Sequence, residues 1–166
     1  MAEIKLTHGK KAIVDDEDYY LLNKFIWQAT SYSKRNNCYA CRSSRKYNDK
    51  KKRTIMMHRF IMGLNEMDTR QIDHINGDGL DNRKINLRIC SRHENLMNKC
   101  IAKNNKSGFK GVYWYKNYNK WVSGIRVDSK KKHLGYYINK KEAAQAYNVA
   151  ALKYFDKFAK INQIGG

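Results

Sequence analysis

Proline is absent from this 166-residue chain, although about one residue in twenty of an average protein is proline. Turns must be made by Gly, Asn and Asp, which tolerate or stabilise tight backbone geometry. Acid is scarce: fifteen Asp and Glu face thirty-four Lys and Arg, a formal net charge of +19. That balance excludes most cationic ligands and favours a polyanion. No apolar run approaches the ~20 residues that cross a bilayer, so no membrane partner is expected. The start, Met1-Ala2-Glu3-Ile4-Lys5, lacks the basic head and apolar stretch of a secretory signal. The expectation is a cytoplasmic, intracellular protein whose four Cys stay reduced. Cys38-x-x-Cys41 lies in a strand-like stretch rather than a glycine-bearing knuckle, and Cys90 and Cys100 are widely spaced. Buried or half-buried thiols are therefore expected in place of a zinc site.

What is present is apolar enough to fold. Hydrophobic residues make up 42% of the chain, with twelve Tyr, three Trp and five Phe, which argues against wholesale disorder. The positive charge is uneven. Lys34 to Arg53 holds nine basic residues and one acid, and Lys99 to Lys132 holds ten and one. Between them, Asp73 to Asn98 is rich in Asp, Asn, His and Gly, a make-up suited to metal and phosphate chemistry. The polar link Lys99–Lys106 is the expected domain boundary, giving a first domain over 1–103 and a second over 104–166.

Alternation and turn signals predict strands at Ile4–Leu6 and Lys11–Val14, then a helix opened by Asp15 to Asp18 and running to Phe25, with Asp16 as its N-cap. Strands are predicted near Ile26–Ser33 and Cys38–Arg45, joined as a hairpin by Lys34-Arg35-Asn36-Asn37. Thr54–Met62 reads equally as helix or strand. A strand is expected to end at Asp73-His74, followed by a polar loop with Gly77 and Gly79 and a strand at Asn86–Ile89. Ser91-x-x-Glu94 is a capping box that starts a helix at Arg92. Three more strands follow (Lys110–Tyr115, Trp121–Val127, Lys132–Tyr137). A second capping box, Asn139 to Glu142, then opens an Ala- and Tyr-rich amphipathic helix.

The segment around residues 71–99 carries the chemistry. Breaking a phosphodiester needs a base to activate water and a cation to stabilise charge on the phosphate and leaving oxygen. A neutral His serves as base. A carboxylate with an amide oxygen suits a hard cation that keeps several waters, and an Asn can orient the imidazole. An EF-hand fails, because the positions two and four after Asp73 are Ile75 and Gly77. Asp73-His74-Ile75-Asn76-Gly77, Leu80-Asp81-Asn82-Arg83, Asn86-Leu87-Arg88 and Asn95 resemble the HNH nuclease motif in its phage homing-endonuclease form. The resemblance implies a ββα-metal fold with His74 as general base and Asn86 as the residue orienting it. Asp73 and Asn95 would ligate one Mg²⁺ or Mn²⁺, with Asn98 an alternative to Asn95. His58 takes a supporting role. His93 and Arg88 are candidate phosphate contacts.

Further on, Ser107-Gly108-Phe109-Lys110-Gly111-Val112-Tyr113, Lys120-Trp121-Val122-Ser123-Gly124-Ile125-Arg126, His133-Leu134-Gly135-Tyr136-Tyr137 and Glu142 to Ala151 resemble the DNA-binding domain of plant ethylene-response factors, the Apetala type. The likeness covers about Asn105–Asn162. It implies a three-stranded antiparallel sheet packed on one helix, with the sheet face in the major groove. Alternation puts Tyr113, Tyr115, Lys120, Arg126, Lys131 and His133 on or beside that face. The family usually has Arg where Tyr113 and Tyr115 stand, while Trp121 is expected under the sheet.

Together these readings give an α+β chain. A small N-terminal β-rich region and a ββα-metal core precede the sheet-and-helix module. The expected function is a metal-dependent, site-specific endonuclease acting on double-stranded DNA as monomer or homodimer. The rival expectations are a non-catalytic DNA-binding regulator with a degenerate HNH site and, more weakly, an RNA-binding protein with stacking tyrosines.

Overall fold

The computed structural model describes residues 1–31, 38–44, 53–99, 101 and 104–165. The hairpin tip Lys34–Asn37, most of the first basic run and Cys100 lie outside them. The chain is a mixed α and β protein of several small antiparallel sheets and four α-helices among the described residues. It divides into two compact units, Met1–Arg92 and His93–Gly166, with the division eleven residues before the boundary read from composition. None of the described helices is long and apolar enough to cross a membrane.

In the first unit, β1 (Ala2–Lys5) pairs antiparallel with β2 (Lys11–Val14). The turn between them uses left-handed backbone at His8 and Gly9. α1 (Asp16–Leu22) follows with Asp16, Glu17 and Asp18 in its first turn, where the helix dipole favours negative charge. The N-cap position belongs to Asp15, not Asp16, because Asp15 keeps extended backbone angles. Its carboxylate instead accepts the Lys84 amide at 2.7 Å. The helix also stops at Leu22, short of Phe25, because the chain must turn Trp27 inward. Trp27 is 1% exposed, and its indole N–H donates to the Leu22 carbonyl at 2.9 Å.

β3 (Gln28–Ser31), β4 (Cys38–Ser44) and β5 (Arg53–Met56) form an antiparallel sheet in that order. α2 (Met57–Ile61) follows β5 directly, so the ambiguous Thr54–Met62 run is strand and then helix. Ile4, Leu6, Val14, Leu22, Trp27 and Met57 make the core. Phe25, Trp27 and Phe60 pack edge to face, and the Arg42 guanidinium lies 4.1 Å over the Phe25 ring. Cys41 and Cys90 are buried thiols, and Cys38 is half-buried. β6 (Gln71–His74) and β7 (Leu87–Cys90) close the unit as a two-stranded ladder with Asp73 opposite Arg88 and His74 opposite Leu87. The connecting loop is stitched to β2 by reciprocal backbone bonds of 2.8 Å: Ile13 N–H to Leu80 C=O and Asn82 N–H to Ile13 C=O.

α3 (Arg92–Met97) starts at the residue the capping box predicts. In the second unit, β8 (Val112–Tyr115), β9 (Lys120–Val127) and β10 (Lys130–Tyr137) form an antiparallel sheet with β9 central. α4 (Lys140–Phe155) is capped by Asn139, whose side chain accepts the Lys141 amide at 2.8 Å. Its small and aromatic face, Ala143, Ala144, Tyr147, Ala150, Ala151 and Phe155, packs on Val112 and Ile125 of the sheet. Gly111 sits at φ +76°, and a Cβ there would lie 2.0 Å from the Tyr147 ring, so the turn before β8 admits only glycine. After α4 the tail returns to the start of the sheet. The Asn162 side chain accepts the Lys110 amide at 2.6 Å and donates to the Lys110 carbonyl at 3.0 Å. Asn148 exchanges a second pair of bonds with the Asn162 backbone at 2.7 and 2.9 Å.

Candidate functional site

Asp73 and His74 end β6, and both are buried. Pairing of β6 with β7 sets Arg88 across from Asp73, and the guanidinium binds the carboxylate Oδ2 through Nε at 2.8 Å and Nη2 at 2.5 Å. Arg88, expected as a phosphate contact, is thus engaged by Asp73. The opposed positions of an antiparallel pair bring complementary side chains within reach, which explains the difference.

The His74 ring lies 5.2 Å from the His58 ring and 5.8 Å from that of Tyr39, and the same Tyr39 ring is 6.0 Å from His58. Three separate elements, β6, α2 and β4, thus converge on one aromatic cluster. Burial lowers the pKa of His74, and the Asn82 side chain and the charges of Asp73, Asp78 and Asp81 oppose that shift. His58 is pushed further, to about 3, by burial first and then by the neighbouring His74 and Arg59 charges. Its Nδ1 is buried without a hydrogen-bond partner among the described residues. Both imidazoles are therefore neutral at pH 7, the form a proton acceptor needs.

The loop after His74 is shaped by side chains that replace backbone partners. Asn76 Oδ1 accepts the Asp78 amide at 2.8 Å, and Asp78 Oδ1 accepts the Leu80 amide at 2.9 Å. Gly77 takes the left-handed region at φ +85°. Gly79 lies flat on β4: a Cβ there would come 2.4 Å from the Cys38 carbonyl oxygen and 2.6 Å from the Tyr39 ring. Asp81 is chelated by Arg83 at 2.8 and 2.6 Å and takes a bond from Asn76 at 2.9 Å. Arg83 is the main cause of its lowered pKa. Asn86 differs from its expected role of bonding the imidazole directly. Its Oδ1 accepts the Asn76 amide at 3.0 Å, and its Nδ2 donates to Asn76 Oδ1 at 3.1 Å and to the Asp81 carbonyl at 2.8 Å. The Asn86 carbonyl accepts the Ile75 amide at 2.9 Å. Asn86 thus fixes the backbone that follows His74, while Asn82 stands beside the ring. Sequence spacing missed Asn82 and Tyr39 because neither pairs with His74 by any local period.

Among the described residues no three His, Cys, Asp or Glu side chains converge on one point. The pair expected to hold a cation is smaller, the Asp73 carboxylate and an Asn amide, both hard oxygen donors of the kind Mg²⁺ takes alongside water. Asn95 is half-buried on α3, and Asn98, just beyond the helix, is buried.

The second unit carries a separate candidate surface. The sheet face opposite α4 gathers all six expected DNA-contact residues. Register sets Tyr113 beside Val122, Tyr115 beside Lys120, Arg126 beside Lys131 and Gly124 beside His133. Lys131 reaches Tyr113, with Nζ 3.1 Å from the hydroxyl and 4.6 Å from the ring centre. Tyr118 and Tyr136 join this face without having been expected there. Tyr118 is 5.3 Å from Tyr115 and 5.1 Å from Tyr136, and His133 is 4.6 Å from Tyr136. Tyr136 arrives because register slips between His133 and Gly135, which reverses the parity that simple alternation assigns. Trp121 faces the helix side against Ala143 and Ala144, as expected. His93 lies 3.6 Å from the Asp128 carboxylate.

Comparison with known proteins adds one partial likeness. Over 60 residues, 36% of this chain, it is 37% identical to Protein 3.8 of Escherichia phage T7, and the match spans half of that protein's length. No family model matches the chain, and no solved structure matches it.

Proposed function

We propose that the protein is a metal-dependent, site-specific DNA endonuclease of the HNH homing type. It hydrolyses phosphodiester bonds of duplex DNA and leaves 5′-phosphate and 3′-hydroxyl ends. The observation that carries this reading is a neutral, buried imidazole, His74, next to the Asp73 carboxylate at the end of an antiparallel hairpin that a short helix follows. On this reading Gln71–Lys99 is a ββα-metal core. His74 takes the proton of the attacking water, and the charges of Asp73, Asp78 and Asp81 favour the imidazolium that forms. Asn86 holds the loop behind that ring. Arg88 holds the Asp73 carboxylate in place. Asp73 and Asn95 are the residues that would hold one Mg²⁺ or Mn²⁺ per site. When bound, the cation supplies Lewis-acid stabilisation of the leaving 3′ oxygen. The basic surfaces, including the face with Tyr113, Tyr115, Lys120, Arg126, Lys131 and His133, hold the DNA. A monomer nicks one strand, and a homodimer would cut both.

The test is a supercoiled plasmid with Mg²⁺ or Mn²⁺. The native chain relaxes or linearises it, and His74→Ala lowers the rate by about 10²–10⁴-fold while still retarding DNA in a gel. Undiminished cleavage by His74→Ala would remove the assigned base. One observation favours the rival regulator: the Asp73 carboxylate is already engaged by Arg88 in a buried pair. DNA retardation with no nick in any divalent metal would select that reading.

A further inference from the structure

The open face of the β8–β9–β10 sheet presents aromatic rings at its centre and cations at its margin. Tyr113, Val122 and Tyr136 form one row across the three strands. Val122 is 2% exposed although it stands on the face opposite α4, so its neighbours roof it and their rings are fixed against the sheet. The Tyr115, Tyr118 and Tyr136 rings lie 5.1 to 6.1 Å from one another. The cations are tethered. Lys131 is drawn onto Tyr113, and Arg126 donates to the Ser129 carbonyl in the β9–β10 turn at 3.3 Å. A guanine-reading face needs Arg or Lys free to fork onto O6 and N7 at its centre, and here that centre is phenol and imidazole. Splayed single-stranded bases need flat, open ring faces. Tyr118 meets Tyr115 and Tyr136 edge to face, at 79° and 63°, so these rings are engaged with one another and do not lie as a flat stacking platform. The remaining fit is a groove wall. The apolar feature of the major groove is the thymine C5 methyl, and the flanking Lys120, beside Tyr115 on this face, suits the adjoining phosphates.

We propose that this face is a specificity-determining surface that reads thymine through its methyl group, with Tyr113 and Tyr136 receiving the methyls. The proposal rests on the reading of the chain as a duplex-DNA protein and names the base pair it prefers.

The experiment measures binding of the full chain, in EDTA and at fixed salt, to fluorescent alternating duplexes of d(A-T), d(A-U) and d(G-C). Uracil lacks only the methyl. Each buried methyl is worth roughly three- to fourfold in affinity, so d(A-T) should bind about tenfold tighter than d(A-U) if two methyls are received. Tyr136→Ser should reduce that preference to the roughly three- to fourfold share of Tyr113 and leave the salt dependence unchanged, since no phosphate contact is lost. Tyr136 is 45% exposed, and an unchanged Tm verifies that the variant is folded. Equal affinity of the native chain for d(A-T) and d(A-U) overturns the thymine proposal and leaves duplex binding intact. Preference for d(G-C), or for single-stranded oligo(dT) over any duplex, overturns it as well. No binding to any duplex overturns both this proposal and the endonuclease reading.

Discussion

His58 is an imidazole kept where its charged form is disfavoured. Its pKa of about 3 in the folded chain lies below the ~6.5 of an unfolded histidine, so the unfolded state binds the extra proton. Stability is then complete above pH 6.5 and falls as pH drops from there towards 3. By pH 5 this one group costs about 2 kcal/mol. Replacing it with the apolar His58→Phe should remove most of that loss, read as the difference in urea midpoint between pH 7 and pH 5. An unchanged acid dependence would show that His58 does not titrate this way.

Arg88 makes the opposite case, a charge kept because it has a partner. Removing the guanidinium from a buried pair costs about 3–5 kcal/mol, so Arg88→Met should lower Tm by several degrees. If Asp73 holds a divalent cation, Mg²⁺ should restore more stability to Arg88→Met than it adds to the native chain. Equal Mg²⁺ shifts in both would argue that Asp73 is not a ligand.

Among elements, those with a sustained period were legible in the sequence and those shaped by a single residue were not. β6 ends at Asp73-His74, α3 starts at Arg92 and α4 follows its Asn139 cap as expected, and β7 lies one residue on from its expected bounds. The β5–α2 run was ambiguous because four strand residues and five helical ones average to no period at all. Tyr136 was missed because one glycine at φ +140° flips the parity of everything after it. The loop after His74 was readable because its motif is compressed between Asp73 and Asn86. The surroundings of His74 were not, because Tyr39 and His58 reach it from β4 and α2, and Asn82 from across its own loop at no regular spacing. Gly111 gives this scale its prediction. Ala there would meet the Tyr147 ring and require a strained φ, so Gly111→Ala should cost about 2–3 kcal/mol in unfolding free energy. A loss under 0.5 kcal/mol would mean that the turn before β8 relaxes freely.

At the scale of the whole molecule, charge is distributed differently between the two units. The first sets many of its cations against acids, as in Lys11–Glu3, Arg70–Asp68, Arg83–Asp81 and Lys84–Glu17. The second holds fifteen Lys and Arg against four Asp and Glu. The +19 total was plain from composition, whereas its division had to come from the fold. Six to ten phosphate contacts would lower DNA affinity by about 10³–10⁵-fold between 50 and 200 mM salt. Neutralising Lys120 and Lys131 together should flatten the log–log slope by about two units, measured by fluorescence anisotropy. An unaltered slope would take these lysines off the DNA.

The tail clamp reaches beyond its own residues. Asn162 ties its segment to Lys110, 52 positions earlier, and to Asn148 on α4, so the turn entering the sheet is anchored by a segment that lies beyond the helix. A chain shortened before Asn162 retains every described strand and the whole of α4, yet loses both bonds from the Asn162 side chain to the Lys110 backbone. Nascent protein is in that condition until Asn162 has left the ribosome, so the entrance to the sheet is secured only after the whole of α4 has been made.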